Sequence, residues 1–216
     1  MKKKIIIIDT SCGNLLSIKR AFEKSEAEVS ITNDPKKILS AARLVLPGVG
    51  AFKNCIENLK KNNFFDILPE LLEKRIPILG ICLGMQILFD ESEEFGINKG
   101  LGVISGKIKK LPKSSLNNTR IKVPSIGWYN LNICKDLLNE ENNIKILKNL
   151  DPKENFYFVH SFHATQVNKN NVLATYNYGE HKIVSIAVKK NIIGCQFHPE
   201  KSRKNGLSLI KNFLTL

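Results

Sequence analysis

Residues 77–86 read Pro-Ile-Leu-Gly-Ile-Cys-Leu-Gly-Met-Gln, and this stretch decides the fold. It predicts a short buried strand that enters a sharp turn and a helix that leaves it. Gly80 and Gly84 flank Cys82, as such a turn requires, because its two arms approach closely. The pattern is typical of a nucleophile elbow in which cysteine replaces serine, at the carboxyl end of a strand in an α/β sheet. The competing interpretation is a buried cysteine in a glycine-flanked turn.

Two backbone segments are candidates for an oxyanion hole beside this cysteine. The N–H of Leu83 follows the nucleophile in the turn and is expected to point toward a developing negative charge. The segment 47–52, Pro-Gly-Val-Gly-Ala-Phe, lies between a predicted strand and a helix, and Val49 or Gly50 can supply a second N–H. A glycine-rich turn also suits phosphate, but this one lacks both G-x-G-x-x-G and the Lys-Ser/Thr of a P-loop. Its two glycines allow a peptide to flip, which can act as a switch.

A cysteine nucleophile needs a base and a group that orients the base. His198 directly follows a predicted strand in Gln-Phe-His-Pro-Glu, residues 196–200, and Glu200 can accept a proton from its imidazole. Because Cys82 and His198 both follow strands, we expect them to meet at one edge of the sheet, where open α/β folds bind ligands. Cys82, His198 and Glu200 are therefore the predicted catalytic triad. A structural turn histidine is the alternative for His198.

The sequence predicts no metal or cofactor site. His160 and His163 have the spacing of a possible metal pair, but no Asp, Glu or Cys follows at a ligand spacing. We therefore assign no metal ligand. No motif indicates a flavin or a nucleotide cofactor. His181 is expected to face solvent from a loop.

Strands and helices alternate in the first half of the chain, and the second half is richer in strands. This order predicts an α/β fold with a mostly parallel central sheet flanked by helices and an added antiparallel portion. The predicted strands are 4–9, 28–32, 43–46, 77–81, 102–109, 155–160, 172–176, 183–188 and 192–197. The predicted helices are 15–24, 52–61, 64–74, one that opens with 85–90, and 205–214. Residues 112–151, polar and rich in Asn, are expected in loops and surface elements.

Composition excludes several classes of protein. The 216 residues carry a formal net charge of +13, but the basic residues are mostly Lys scattered along the chain. Nucleic-acid readers concentrate Arg in one segment, so this pattern argues against them. The five cysteines are odd in number and form no C-x-x-C pair, which argues against a disulfide framework. No apolar run is long enough for a membrane span or a secretory signal, so we expect a cytoplasmic protein.

The motifs together resemble the triad class of glutamine amidotransferases. Residues 80–86 and 196–200 carry this resemblance, and their separation also fits. Within that class, Pro-Gly-Val-Gly-Ala-Phe at 47–52, with further matches at 13–15, 127–128, 158–161 and 201–202, resembles the glutaminase-subunit family of imidazole glycerol phosphate synthase. The resemblance extends from Asp9 to Phe213, so we expect a single glutamine amidotransferase domain over residues 1–216.

The resemblance implies a mechanism and a partner. Cys82 would attack the side-chain amide of L-glutamine, His198 would protonate the departing ammonia, and Glu200 would orient His198. A HisF-type (β/α)₈ cyclase would form a heterodimer with this chain, receive the ammonia through a tunnel, and release an aminoimidazole carboxamide nucleotide on closing an imidazole ring. The glutaminase would be nearly silent until that partner binds its nucleotide. The residues implied to hold the amino-acid end of glutamine are Gln86, Glu94 and the backbone around His160, Ser161 and Phe162.

Departures from the family's usual sequence leave the ammonia acceptor open. The chain reads Ser-Ile-Gly-Trp-Tyr-Asn at 125–130 in place of His-Met-Gly-Trp-Asn, Phe-His at 162–163 in place of Tyr-Tyr, and Thr-Ser-Cys at 10–12. A paralogue that supplies ammonia for acetamidino groups on bacterial surface sugars is therefore an alternative. Further alternatives are a free-standing cysteine hydrolase, disfavoured by Gln86 and the loop at 47–52, and a scaffold, disfavoured by the complete triad.

Overall fold

The computed structural model describes residues 2–151 and 154–216. Its strands are β1 (Lys3–Ile8), β2 (Ala27–Thr32), β3 (Leu44–Leu46), β4 (Ile78–Ile81), β5 (Phe89–Ser92), β6 (Asn98–Lys99), β7 (Ile104–Lys110), β8 (Ser125–Tyr129), β9 (Asn132–Ile133), β10 (Phe156–His160), β11 (Phe162–Thr165), β12 (Val172–Tyr178), β13 (His181–Lys189) and β14 (Ile192–Cys195). Its helices are α1 (Leu15–Lys24), α2 (Pro35–Leu39), α3 (Phe52–Lys61), α4 (Phe64–Glu73), α5 (Leu83–Gln86), α6 (Glu141–Leu147) and α7 (Arg203–Phe213).

An eight-stranded sheet organises these elements in the order β2-β1-β3-β4-β14-β13-β12-β9. The first five strands are parallel, and the last three continue the sheet in antiparallel orientation. The predicted α/β fold, with its mostly parallel sheet and added antiparallel portion, is confirmed. β4 and β14 are neighbours, with Gly80 opposite Gly194 and Ile81 opposite Cys195. The two predicted motifs, at 80–86 and 196–200, therefore leave the sheet side by side.

Helices cover both faces of the parallel strands, which explains why those strands are apolar runs without alternation. On one face, Ile7 of β1 belongs to a core that includes buried residues of α1 and α7, where Phe22 and Phe213 meet edge to face with ring centroids 6.4 Å apart. On the other face, Ile8 belongs to a core that includes α3 and α4. The carboxyl ends of the strands are left uncovered by these helices, and the candidate site lies there.

The helix predicted to open with residues 85–90 is wrong. α5 is a single turn that ends at Gln86, and Phe89 begins β5, which pairs with β7 in a second sheet ordered β11-β7-β5-β6. The Leu101 N–H donates to the Ile87 carbonyl at 2.8 Å, so the chain returns directly against this segment. A short run of buried apolar residues fits the periodicity of a helix as well as that of a strand. Here the pairing of β5 with β7 favours the strand.

The segment 112–151 contains more structure than the predicted loops and surface elements. β8 pairs with β10 in antiparallel register, which places Ser125 opposite His160. Ser125 is fully buried, and Ile146 of α6 enters the core beside α7. The polar composition of the segment hid these elements, because few of their side chains face the core. β8 matters for function, since it lies beside the strand that borders the candidate site.

No helix within residues 2–151 and 154–216 is long and apolar enough to cross a membrane.

Candidate active site

Cys82 lies in the sharp turn between β4 and α5, as predicted. Its φ of 54° lies in the left-handed region, which is strained for a residue with a side chain and is typical of a nucleophile elbow. Both flanking glycines are required. A Cβ at Gly84 would lie 1.8 Å from the Leu46 carbonyl oxygen, and one at Gly80 would lie 2.7 Å from the Gly84 oxygen. The turn therefore lifts the thiol above the sheet edge at a position that only this glycine pattern permits.

His198 and Glu200 form a buried pair beside this turn. The His198 Nδ1 lies 2.8 Å from the Glu200 Oε1, and both side chains are almost inaccessible to solvent. Backbone contacts fix the histidine: its N–H donates to the Tyr157 carbonyl at 2.9 Å, and its carbonyl accepts from the Ser202 hydroxyl at 2.6 Å. The sequence therefore predicted both the partner of the imidazole and its position after β14.

The charge state of His198 follows from its neighbours. Burial lowers its pKa, but hydrogen bonds and charge interactions with Cys82 and Glu200 outweigh burial and raise the pKa to about 10. The imidazole is therefore protonated at neutral pH. In that state it can donate a hydrogen bond to a Cys82 thiolate and later give up a proton. Glu200 supplies the buried counter-charge.

The triad borders a cleft of about 340 Å³, within the range of roughly 300–1,000 Å³ that is common for small-molecule sites. All the predicted site residues line this cleft except Glu200, which lies behind His198. Pro124 and Val159 complete the lining. The structure thus brings the triad, the oxyanion candidates and the implied substrate residues to one place.

Two of the three oxyanion candidates, Leu83 and Val49, use their N–H groups in hydrogen bonds within the chain, and Gly50, the alternative to Val49, borders the same cleft. The Leu83 N–H donates to the Gly48 carbonyl at 3.3 Å, and the Val49 N–H donates to the Cys12 carbonyl at 2.9 Å. Both contacts involve the same peptide unit, Gly48–Val49: its oxygen faces Leu83 and its N–H faces away from the cleft. In this conformation the Leu83 and Val49 N–H groups are therefore occupied, and an oxyanion hole built from them stays a prediction that requires this peptide to rotate.

Two of the implied substrate residues are held by hydrogen bonds within the chain. The Gln86 Nε2 donates to the Phe162 carbonyl at 2.9 Å, and the Glu94 Oε2 accepts from the Phe52 N–H at 2.7 Å. Glu94 thereby links the first residue of α3 to the segment between β5 and β6. Both side chains border the cleft, so these contacts position them at its wall.

His160 contributes its backbone to the cleft, while its imidazole is turned into the core. Its Nδ1 lies 2.8 Å from the Phe162 carbonyl and its Nε2 lies 2.7 Å from the Tyr176 hydroxyl. Burial lowers the pKa of His160 to about 4, so the ring is neutral at neutral pH. His160, Ser161 and Phe162 border the cleft, and the contact of their backbone with glutamine stays a prediction.

Sequence reasoning missed Gln196. Its Nε2 lies 3.8 Å from the Cys82 Sγ, and its Oε1 accepts from the Gln86 Nε2 at 3.0 Å. A signal was available: Gln196 directly follows β14 and occupies the same place on that strand that Cys82 occupies on β4, as the register of Cys195 with Ile81 requires. Gln196 and Cys82 must therefore be neighbours whenever β14 and β4 are adjacent strands.

The remaining histidines form no metal site. Among the described residues, no group of three or more His, Cys, Asp and Glu is arranged to hold a metal ion. His163 is partly buried, and burial lowers its pKa to about 4. The His181 Nε2 lies 2.8 Å from the Ser114 carbonyl oxygen at the start of β13, where a loop had been predicted.

The sequence matches a known protein family. The profile of the family described as "Glutamine amidotransferase class-I" matches residues 6–216. The chain belongs to the class-I glutamine amidotransferase family. This family consists of enzymes, and a Cys-His-Glu triad is its known feature. The elbow at Cys82 and the His198–Glu200 pair are therefore found in the family that the motifs resemble.

Curated relatives within the family cover nearly the whole chain. Imidazole glycerol phosphate synthase subunit HisH 1 of Legionella pneumophila (strain Lens) is 41% identical over 98% of this chain and 99% of the relative. HisH of Geobacter metallireducens is 41% identical over 97% and 96% of the two chains, and HisH 1 of Methanococcus maripaludis is 42% identical over 98% and 99%.

Solved structures support the same fold. The chain is similar to PurLQS from Thermotoga maritima, with a TM-score of 0.73 and 17% identity over 100% of this chain and 99% of that chain. The crystal structure of a glutamine amidotransferase gives a TM-score of 0.70, with 15% identity over 98% of this chain and 99% of that chain. At these identities the likeness concerns the fold alone.

Proposed function

We propose that this chain is the glutaminase subunit of imidazole glycerol phosphate synthase in histidine biosynthesis. It hydrolyses L-glutamine through a Cys82 thioester and passes ammonia to a HisF-type (β/α)₈ cyclase. The observation that carries the proposal is the elbow cysteine beside the buried His198–Glu200 pair, in a chain about 41% identical to curated HisH subunits. The proposal treats residues 1–216 as a single domain in the cytoplasm, in line with a family match over residues 6–216.

The reaction assigns one role to each member of the triad. The Cys82 thiolate attacks the side-chain carbonyl carbon of glutamine, and the resulting oxyanion is held by backbone N–H groups. The C–N bond breaks as His198 gives its proton to the departing nitrogen, which leaves as ammonia. Water then attacks the thioester, His198 accepts a proton from it, and the C–S bond breaks to release glutamate and restore the thiolate. Glu200 stabilises the imidazolium throughout.

The Gly48–Val49 peptide supports a resting state with low activity. Rotating this single peptide by about half a turn would break its bonds to Leu83 and Cys12, free the Leu83 N–H, and aim the Val49 N–H into the cleft. The rotation changes ψ of Gly48 and φ of Val49, and the glycine at position 48 gives this peptide its freedom. We propose that docking of the partner and its nucleotide favours the rotated peptide, so that glutamine is consumed only when ammonia can be used.

Apolar side chains around the mouth of the cleft support a docking partner. Val49 at the cleft wall is 42% exposed, and Ile126 and Trp128 on β8 are 58% and 39% exposed. The Arg203 guanidinium lies 4.7 Å above the ring of Trp128, and Trp128 packs 5.5 Å from Tyr157 beside His198. Exposed aromatic and arginine side chains at one place are typical of a protein interface.

A larger cleft of about 1320 Å³ adjoins the catalytic cleft through Glu94, Ser161 and Phe162. Its cationic lining residues are Lys110, Lys113, Arg120 and Lys122. We propose that this rim meets acidic residues of the partner. Raising the salt concentration should then slow complex formation markedly, because long-range attraction between exposed charges is screened. A rate of association independent of salt would contradict this assignment.

The experiment that tests the function couples the chain to its acceptor. The purified chain is mixed with the histidine-pathway cyclase of the same organism, its nucleotide substrate and glutamine, with a Cys82→Ala chain as the blank. We expect imidazole glycerol phosphate and glutamate in equal amounts, both lost in the blank. Glutamate without the imidazole product would support a different acceptor, such as the acetamidino-sugar pathway suggested by the departures at 125–130. Rapid turnover with no partner would support a free-standing hydrolase.

A further inference from the structure

We propose that the side-chain amide of Gln196 is a hydrogen-bond donor to the Cys82 thiolate and holds the nucleophile in place for attack. The proposal rests on the proposed function, since it takes Cys82 as the nucleophile. Gln196 is fully buried, and its backbone N–H donates to the Ser185 carbonyl at 2.9 Å, which fixes its main chain. From there its Nε2 reaches to 3.8 Å from the Cys82 Sγ, a hydrogen-bond distance for sulfur.

The orientation of the Gln196 amide follows from an acceptor that cannot donate. The Phe162 carbonyl lies 2.9 Å from the Gln86 side chain, so the atom of Gln86 that faces it must be the nitrogen. The same nitrogen lies 3.0 Å from the Gln196 side chain and has a second hydrogen to donate. Gln196 must therefore present its oxygen to Gln86. Its nitrogen, and with it a donor, is left for Cys82.

Through His160, the same fixed order of hydrogen-bond donors and acceptors continues into the core. Because its ring is neutral and its Nδ1 lies 2.8 Å from the Phe162 carbonyl, Nδ1 carries the proton and Nε2 is an acceptor. The Tyr176 hydroxyl, 2.7 Å from Nε2, must then donate to it and accept from the Ser125 hydroxyl at 3.2 Å. Reversing any amide or hydroxyl in this buried network would leave two donors or two acceptors facing each other. The donor toward Cys82 is therefore fixed by the fold.

A fixed amide donor can stabilise negative charge on the Cys82 sulfur at every step of the cycle, whereas His198 cannot. His198 gives its proton to ammonia, and it is neutral until water supplies another. The Gln196 N–H keeps its proton and remains in place, so it can stabilise the thiolate both before attack and when sulfur leaves the thioester. The other titratable groups that interact with Cys82 or with His198 are Glu200, Cys195 and His160. None of these supplies a neutral donor to the sulfur.

The test measures how readily Cys82 is alkylated as pH changes. The full chain, Gln196→Leu and Gln196→Glu react with iodoacetamide without glutamine, and each cysteine is followed by peptide mass spectrometry. Gln196→Leu removes the donor, while Gln196→Glu keeps an acceptor for Gln86 and replaces the donor with a carboxylate. Ser185→Ala is the matched control, because its buried hydroxyl makes no hydrogen bond within the described residues. The partly exposed Cys12 and Cys134 report on any general change.

We expect Gln196→Leu to move the midpoint of the Cys82 alkylation profile up by about one pH unit, and Gln196→Glu to move it at least as far. Ser185→Ala, Cys12 and Cys134 should be unchanged. In the glutaminase assay Gln196→Glu, which keeps the acceptor for Gln86, should lower kcat about tenfold with little change in KM, because Gln196 itself is fully buried and does not line the cleft. If Gln196→Leu does not fold, the Glu variant of equal size decides.

An unchanged Cys82 profile in a folded Gln196 variant would overturn the proposal. Because alkylation uses no glutamine, this outcome is distinct from failure of the proposed function, which would appear as a parent chain that releases no glutamate with any partner.

Discussion

The two sides of the catalytic cleft differ in how they are held. On the nucleophile side, a protonated His198 interacts with Cys82 and is paired on its other side with the buried Glu200. On the oxyanion side, the Gly48–Val49 peptide is also well bonded, but with its carbonyl where an N–H is needed. The first side is fixed by two neighbouring strands, whereas the second is a loop. Under the proposed function, this difference gives the chain alone a prepared nucleophile without a prepared oxyanion hole.

The energy that separates the two loop orientations is modest. Rotation of the peptide gives up hydrogen bonds to Leu83 and Cys12, each worth about 1 kcal/mol net. A docking interface readily supplies a few kcal/mol, so a partner can shift this equilibrium without reshaping the sheet. The strands that carry Cys82 and His198 need not move. Control of the enzyme can therefore reside in one peptide while its chemistry resides in the rigid part.

The largest effect is expected at the nucleophile. Cys82→Ala removes the atom that forms the thioester, so glutamate release should fall by about 10⁴-fold or more, with or without the partner. The melting temperature should change little, because the substitution removes no contact on which the turn depends. Glutamate release and thermal melting check the two expectations. Residual activity above a hundredth of the parent's would mean that another group performs the attack.

Glu200→Gln tests the buried pair on the same side. The variant keeps an acceptor for the His198 Nδ1 but removes the charge that stabilises the imidazolium, so kcat should fall by about 10²–10³-fold. The pKa of His198 should fall, since Glu200 is one of the groups that raise it. The basic limb of the pH–rate profile should therefore move to lower pH. A profile at the parent's position would show that Glu200 serves only as packing.

Two glycine substitutions compare the rigid side with the loop. Gly84→Ala would place a Cβ 1.8 Å from the Leu46 carbonyl oxygen, and we expect a loss of several kcal/mol in the free energy of unfolding. Gly50→Ala meets open space, and only its φ of 102° opposes it, at a cost of about 1–2 kcal/mol. Urea unfolding measures both. Equal losses would contradict the claim that the loop is the more adaptable side.

The last comparison concerns the pH dependence of stability. Burial lowers the pKa of His160 and of His163 to about 4, so between pH 6.5 and pH 4 the unfolded chain binds protons that the folded chain does not. Stability from these groups is present above about pH 6.5 and is lost as pH falls, by up to about 1.4 kcal/mol per pH unit for each histidine. His160→Gln should flatten the slope measured by urea unfolding, and His181→Gln should not.

The sequence was most informative where chemistry and local geometry coincide. The elbow around Cys82 and the run 196–200 were predictable, because the glycines, the cysteine and the histidine–glutamate pair each suit the turn and the chemistry together. The parallel sheet followed from the order of apolar runs, and its register then placed the two motifs together. α6 was hidden because its sequence is polar, and β8 was hidden because only Ser125 of its five residues is fully buried. The helix at 85–90 failed, because a short buried run does not distinguish a helix from a strand.

What could not be predicted is the direction of single hydrogen bonds. Nothing in Pro-Gly-Val-Gly tells whether the Gly48–Val49 peptide presents its oxygen or its N–H to the cleft, because glycine permits both. The amide network through Gln86 and Gln196 likewise depends on the Phe162 carbonyl, which the sequence cannot place. The meeting of the two motifs at one cleft was therefore predictable, while the contribution of Gln196 and the state of the oxyanion side required the structure.

The most direct test of the account is the rate of glutamate release by the isolated chain, compared with the rate in the presence of the cyclase and its nucleotide. A prepared nucleophile facing a closed oxyanion hole predicts slow release by the chain alone and a rise of at least about a hundredfold in the complex, as expected for recovery of an oxyanion donor. Equal rates with and without the partner would contradict it, because the hole would then be open in the isolated chain.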